Sequence, residues 1–178
     1  MNISYKTAKM FLEGDEMATA EVYQKYKGLL YFIISTYVDR KEDCEDVYQN
    51  VFLKLLSNRD KVEKPSSLHQ YLCTVAKNEA IEFLRKQDSS ELDENIEKLA
   101  VSESNSQLDY FLPFNLTNTE KSLVGYKITF GLKWKDVSAI MDMPIPTMKK
   151  KYSEALKKIK EVYKNENSKK RNQKEQSS

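Results

Sequence analysis

Three groups of side chains have the types and spacing to do chemistry, and in each case the chemistry is recognition. Residues 41–56 read Lys-Glu-Asp-Cys-Glu-Asp-Val-Tyr-Gln-Asn-Val-Phe-Leu-Lys-Leu-Leu. At about 100° per residue, Val47, Tyr48, Val51, Phe52, Leu55 and Leu56 share one half of a helix, while Asp46, Gln49, Asn50 and Leu53 fall on the other. A carboxylate, two amides and an unburied leucine on one outward face have the makings of a docking surface. Glu42 and Asp43, in the first turn, are ordinary partners of the helix dipole. The second group centres on Asn78, whose amide can both donate and accept toward a base edge. Arg59, Lys61, Lys64, Lys77, Arg85 and Lys86 lie near enough in sequence to supply phosphate contacts. The third is the triplet Lys149, Lys150 and Lys151 with Ser153, near the start of a helix.

The elements that must position these groups are helices. A first apolar stripe runs from about Ala18 to Val38 through Val22, Tyr23, Tyr26, Leu29, Leu30, Ile33 and Ile34, and the acidic helix follows it. A third helix is expected after Pro65, with Ser67 and Gln70 spaced as a capping box. Its apolar positions Leu68, Tyr71, Leu72, Val75 and Ala76 keep one phase up to Lys77. Continuing that phase would bury Glu79, so a break or bend is expected near Asn78, a poor helix-interior residue. Further on, Leu116 to Phe130 reads as a helix ended by Gly131 in a left-handed cap. Trp134 to Met141 reads as a short helix with Val137, Ile140 and Met141 inward, and Asp142 to Ile145 as a turn. Pro146 opens a last helix with Met148, Tyr152, Ala155, Leu156 and Ile159 as its apolar set. Lys149, Lys150, Ser153 and Lys157 stay outside. A short helix, a tight turn and a second helix with cations at its start describe a helix-turn-helix, the second helix of which enters a major groove.

Composition agrees with an all-α chain. Its 178 residues include only 4 Gly and 4 Pro, too few for a turn-rich β fold. Cys44 and Cys73 have no partner spacing and His69 stands alone, so no metal site, disulfide framework or cofactor is expected. Met1 to Lys9 lacks a signal-peptide core and no apolar run reaches the roughly 18 residues of a membrane span, so a cytoplasmic protein without membrane insertion is expected. The net charge of +2 conceals a segregation. Residues 88–103 carry six acids against Lys98, while residues 145–178 carry ten lysines and Arg171 against four glutamates. The acidic stretch has little apolar periodicity and reads as a linker; the basic end is suited to a polyanion. The organisation expected is therefore two small helical domains, 1–86 and 108–163, joined by a flexible linker over 87–107 and followed by a disordered basic tail over 164–178.

Taken together, the blocks resemble the small alternative sigma factors of bacterial RNA polymerase, the extracytoplasmic-function type. Glu45 to Leu55 resembles the region-two helix, Tyr71 to Asn78 followed by Ile81 to Lys86 the promoter-melting segment, and Gly131 to Val137 with Thr147 to Ile159 the region-four helix-turn-helix. The resemblance spans roughly residues 16 to 163, in family order. It implies that Asp46, Gln49 and Asn50, with Leu53 and Leu56, bind core RNA polymerase. It implies further that Asn78 captures a base flipped from the minus-ten element while Lys77, Arg85 and Lys86 hold backbone. Thr147, Lys149, Lys150, Lys151 and Ser153 would meet the minus-thirty-five element of promoter DNA. An anti-sigma factor is a further partner by analogy, and no catalytic residue is required, so the chain is not expected to be an enzyme. Asn50 stands where the family usually has Glu, Tyr71 where it often has Trp, Glu82 where it has Asp, and Asp142 where the turn usually has Gly. Two other readings fit the residues alone: a helix-turn-helix regulator that acts without polymerase, and a sigma-like protein that titrates a partner.

Overall fold

The computed structural model describes residues 3–87 and 115–175, with side chains up to residue 164. Its described residues are helical, and the chain divides into two compact units. The first holds α1 (Tyr5–Leu12), α2 (Glu16–Ser35), α3 (Lys41–Ser57) and α4 (Leu68–Gln87); the second is built on α5 (Asn118–Val124), the greater part of α6 (Trp134–Met141) and α7 (Ile145–Glu175). The acidic segment falls, from residue 88, outside the described residues.

α1 is absent from the sequence expectation because eight residues give barely two turns of periodicity. Ser4 caps it by accepting from the Thr7 N–H, and Ala8 and Phe11 are buried. Gly14, at φ +90°, reverses the chain in a conformation that costs a residue without Cβ little. Asp15 then caps α2, its carboxylate accepting from the Ala18 N–H at 2.8 Å. The core of this unit is made by Val22, Leu29, Ile33, Val51, Leu55 and Leu72, none exposed by more than 1%. Side chains of this size stabilise by about 1.5–3 kcal/mol each when buried.

α4 corrects two expectations. Ser67 forms no capping box: its hydroxyl donates to the Lys64 carbonyl at 2.7 Å, and α4 grows out of a 3-10 turn over Pro65–Ser67. The helix does not break at Asn78 either, but runs unbroken to Gln87. The carboxylate that should have disrupted it, Glu79, is met by Lys54 of α3 at 2.5 Å, so its charge is neutralised where the helix covers it.

In the second unit, Leu116–Phe130 is not one α-helix. Thr117 and Glu120 form a reciprocal capping box that starts α5 at Asn118. After Val124 the chain widens into a π-turn over Gly125–Thr129, and the Phe130 N–H donates to the Gly125 carbonyl. Gly131, at φ +63°, takes the left-handed position as expected. α6 matches its expected bounds. Asp142 follows it at φ 50°, a left-handed conformation that Asp tolerates better than most residues other than Gly. α7 begins at Ile145, so Pro146 is its second helical residue and not its first. The helical backbone continues through residues 164–175, where a disordered tail was expected. No Gly or Pro interrupts that stretch, and its Lys, Glu, Gln and Arg are favourable helix formers.

Candidate functional site

α3 is anchored by Val47, Val51 and Leu55 toward the core and by Tyr48 and Phe52 against Tyr23 of α2, with ring centroids 5.6 and 4.6 Å apart. This fixes which side faces out. Asp46, Gln49 and Asn50 are exposed, and their side chains make no hydrogen bond or ion pair among the described residues. Leu53 is 62% exposed. The neighbouring acids are engaged: Asp43 lies 3.9 Å from Arg40 and Glu45 lies 3.9 Å from Lys41. Asp46 alone among these three has no cation beside it. Leu56, expected on the apolar half, is 38% exposed. Its position, about 180° from Val47, puts it on the border beside Gln49 and Leu53. Five of the expected docking residues thus share one surface, next to a shallow apolar groove of about 480 Å³ lined by Tyr23, Phe52, Leu56 and Arg59.

Arg59 is a correction. Expected to meet phosphate, it instead donates from Nη2 to the Thr19 hydroxyl at 3.1 Å and lies over the Phe11 ring at 4.9 Å. It locks α1 to α2. Lys61 and Lys64 remain exposed.

On α4, Asn78 is exposed without a side-chain partner among the described residues, and Arg85, seven residues on, lies on the same face. Lys77 is half-buried and rotated by about 100° from Asn78, so an unbroken helix separates the two. Arg85 and Lys86 are both held by Glu82, at 2.5 and 3.7 Å. Exposed pairs of this kind contribute about 0–1 kcal/mol, little enough for a phosphate to replace Glu82.

α7 is seated by Met148 and Ala155, both fully buried, and by Tyr152 edge-on to Trp134 at 5.4 Å. Lys127 covers Trp134 from above, 4.7 Å from the ring centre. Lys149, Lys150 and Ser153 then share the exposed side. Lys151 is half-buried and turned onto a flank with Thr147, so the lysine triplet presents two cations outward and not three. Sequence reasoning overlooked the group that sets this helix. Lys158 donates to both oxygens of Glu120 at 2.8 Å, and Glu120 also accepts from the Thr117 N–H and hydroxyl. Burial pushes the Glu120 carboxyl up, but the Lys158 ammonium and the Thr117 donors outweigh it and hold it below the usual carboxylate value. The Thr-x-x-Glu spacing at Thr117 was a legible signal for half of this arrangement.

Cys44 donates to the Val38 carbonyl at 3.2 Å, and burial, reinforced by Asp43, pushes its thiol up to about 11, well away from the reactive thiolate. Among the described residues no cluster of His, Cys, Asp and Glu could hold a metal ion, and no helix is long and apolar enough to cross a membrane.

Comparison with known proteins adds a family to this geometry. Residues 22–90 match the family model for Sigma-70 region 2. The chain is 25% identical over 167 residues to the ECF RNA polymerase sigma-E factor of Escherichia coli K12, covering 83% of this chain and 87% of that one. It is 22% identical to the factor of the same name from Haemophilus influenzae, with 83% and 88% covered. Among solved structures, the fold is similar to CnrH in complex with the cytosolic domain of CnrY, at TM-score 0.58 and 13% identity over 90% of this chain and 97% of that one. It is similar also to the sigma factor RpoE of Bartonella quintana, solved with the anti-sigma factor NepR, at TM-score 0.54 and 21% identity over 82% and 96%.

Proposed function

We infer that this chain belongs to the extracytoplasmic-function sigma factors and acts as an alternative sigma factor, directing core RNA polymerase to promoters and helping to open them. The observation that carries the reading is the outward face of α3. Among the described residues, Asp46, Gln49 and Asn50 are polar groups left without partners beside exposed Leu53 and Leu56, while every other group on that helix is buried, paired or at its ends. A partner surface with a complementary cation and an apolar site would satisfy all five at once. Core polymerase is that partner in this proposal.

DNA would be met at two places. Asn78 stands ready on α4 to hydrogen-bond an extruded base, with Arg85 and Lys86 exchanging Glu82 for phosphate and Lys77 reaching the backbone from the side. Unstacking a base costs a few kcal/mol, and a site for it offsets part of that cost. Lys149, Lys150 and Ser153 would enter the major groove of the minus-thirty-five element, flanked by Thr147 and Lys151. With no arginine on that face, phosphate contact is favoured over bidentate guanine reading. Residues 1–86 would thus serve polymerase and the minus-ten element, and 108–163 the minus-thirty-five element, with 87–107 as linker. No bond-making step falls to this chain, which would act in the cytoplasm. An anti-sigma factor would be the natural antagonist, masking the same surfaces.

The test is reconstitution with purified core polymerase. Co-elution with core and run-off transcripts from a promoter library are expected; failure of both would sink the reading.

A further inference from the structure

The lysines of α7 are sorted by partner. Lys158 turns toward α5 and holds Glu120, whereas Lys149, Lys150, Lys157 and Lys160 are exposed and make no ion pair among the described residues. At about 100° per residue, these four, with Ser153 and Lys164, fall within one arc of about 100°. Glu154 and Glu161 lie outside that arc. Lys150 and Glu154, and likewise Lys157 and Glu161, are spaced i, i+4, but with the lysine first, which is the weaker order for pairing. Among the described residues, Lys149, Lys150, Lys157 and Lys160 thus keep their charges without a carboxylate in reach.

Only the first part of this stripe is used by the proposed promoter contacts. From Lys149 the helix rises about 12 Å to Lys157 and about 16 Å to Lys160. A helix that places its N-terminal turns in a major groove about 12 Å wide carries cations at that distance out past the groove wall, where the phosphates are. Lysine is a compact point charge suited to phosphate and not to bidentate base reading.

We propose that Lys157 and Lys160, with Lys164 beyond them on the same face, grip the DNA phosphate backbone outside the bases met by Lys149, Lys150 and Ser153, as a sequence-independent extension of the recognition helix. This rests on the DNA-binding reading above. It adds affinity and salt dependence without adding sequence preference.

The experiment measures anisotropy of a labelled duplex with the full chain across a salt series, comparing the natural protein with the Lys157→Gln, Lys160→Gln pair. Each lost phosphate contact should flatten the slope of log Kobs against log salt by about 0.9, so the pair should flatten it by up to about 1.8. The affinity loss should be equal on a scrambled duplex, and the Lys157→Arg, Lys160→Arg pair should keep the natural slope. An unchanged slope in the glutamine pair, with helix content intact by circular dichroism, overturns the proposal while leaving the DNA-binding reading standing. Absence of duplex binding by the natural chain at every salt concentration overturns both. If the glutamine pair loses helix content, Lys160→Gln alone decides, with a change of about 0.9 expected.

Discussion

Lys54 on α3 and Glu79 on α4 meet at 2.5 Å, twenty-five positions apart in sequence, and this pair ties the helix of the proposed docking face to the helix that carries Asn78. Glu79 is the more covered partner, with its side chain 13% exposed against 56% for Lys54. Removing the cation should therefore cost more than removing the acid. Lys54→Met is expected to lower the unfolding free energy by about 1 kcal/mol, and Glu79→Gln by less. Urea midpoints of the two variants check the order, and equal or reversed losses would mean that the pair is ornamental.

The docking face should separate from the fold. Asp46→Lys combined with Gln49→Ala changes only exposed side chains that have no partner among the described residues, so helix content and thermal midpoint should stay as they are. Affinity for core polymerase should fall at least tenfold, about 1.4 kcal/mol. Binding measured by co-elution or calorimetry at the natural strength would move the interface elsewhere.

Asn78 invites an opposite pair of effects. Alanine is a better helix former than asparagine by about 0.5 kcal/mol, so Asn78→Ala should hold or raise stability. Promoter opening, followed by the fluorescence of a base analogue in the minus-ten element, should fall. If opening is retained, base capture does not run through this amide.

Glu120 makes the second unit acid-sensitive. Its carboxyl is held below the ordinary value in the folded chain, so its stabilisation is complete above the unfolded value near 4.5 and is lost as pH falls through the folded one. Glu120→Gln should flatten that part of the stability profile. Glu120→Ala leaves Lys158 without its partner and should cost about 3 kcal/mol at neutral pH, the lower end for a buried pair whose other member is partly exposed. Thr117→Ala removes the cap alone, at about 1 kcal/mol. A pH profile of urea midpoints that is identical in Glu120→Gln and the natural chain would contradict this assignment.

Local signals carried the elements that local signals control. α3 and α6 were legible because their apolar residues keep one phase from end to end, and Gly131 because only a left-handed residue ends a helix that way. α4 was misjudged at Asn78 because the decisive atom, Lys54 Nζ, belongs to another helix. Arg59 reads as a surface cation in the sequence because its partners, Phe11 and Thr19, lie 48 and 40 residues upstream. The lysine triplet overstated its own reach, since an unbroken helix must turn Lys151 away from the side that shows Lys149 and Lys150. The remaining candidate residues stand out singly by type and spacing, and what sequence could not supply was pairing across helices, such as Lys158 with Glu120.

The π-turn at Gly125–Thr129 makes chain length in this segment adjustable. An α-turn spends about 3.6 residues where this one spends more, so the segment carries a surplus residue over a regular helix. Deleting one residue here would let α5 continue as an ordinary helix while the side chains beyond it keep their direction, because the widened turn already absorbs the extra residue. The spare residue works as slack: this segment can shorten by one residue and still deliver the chain to the same corner.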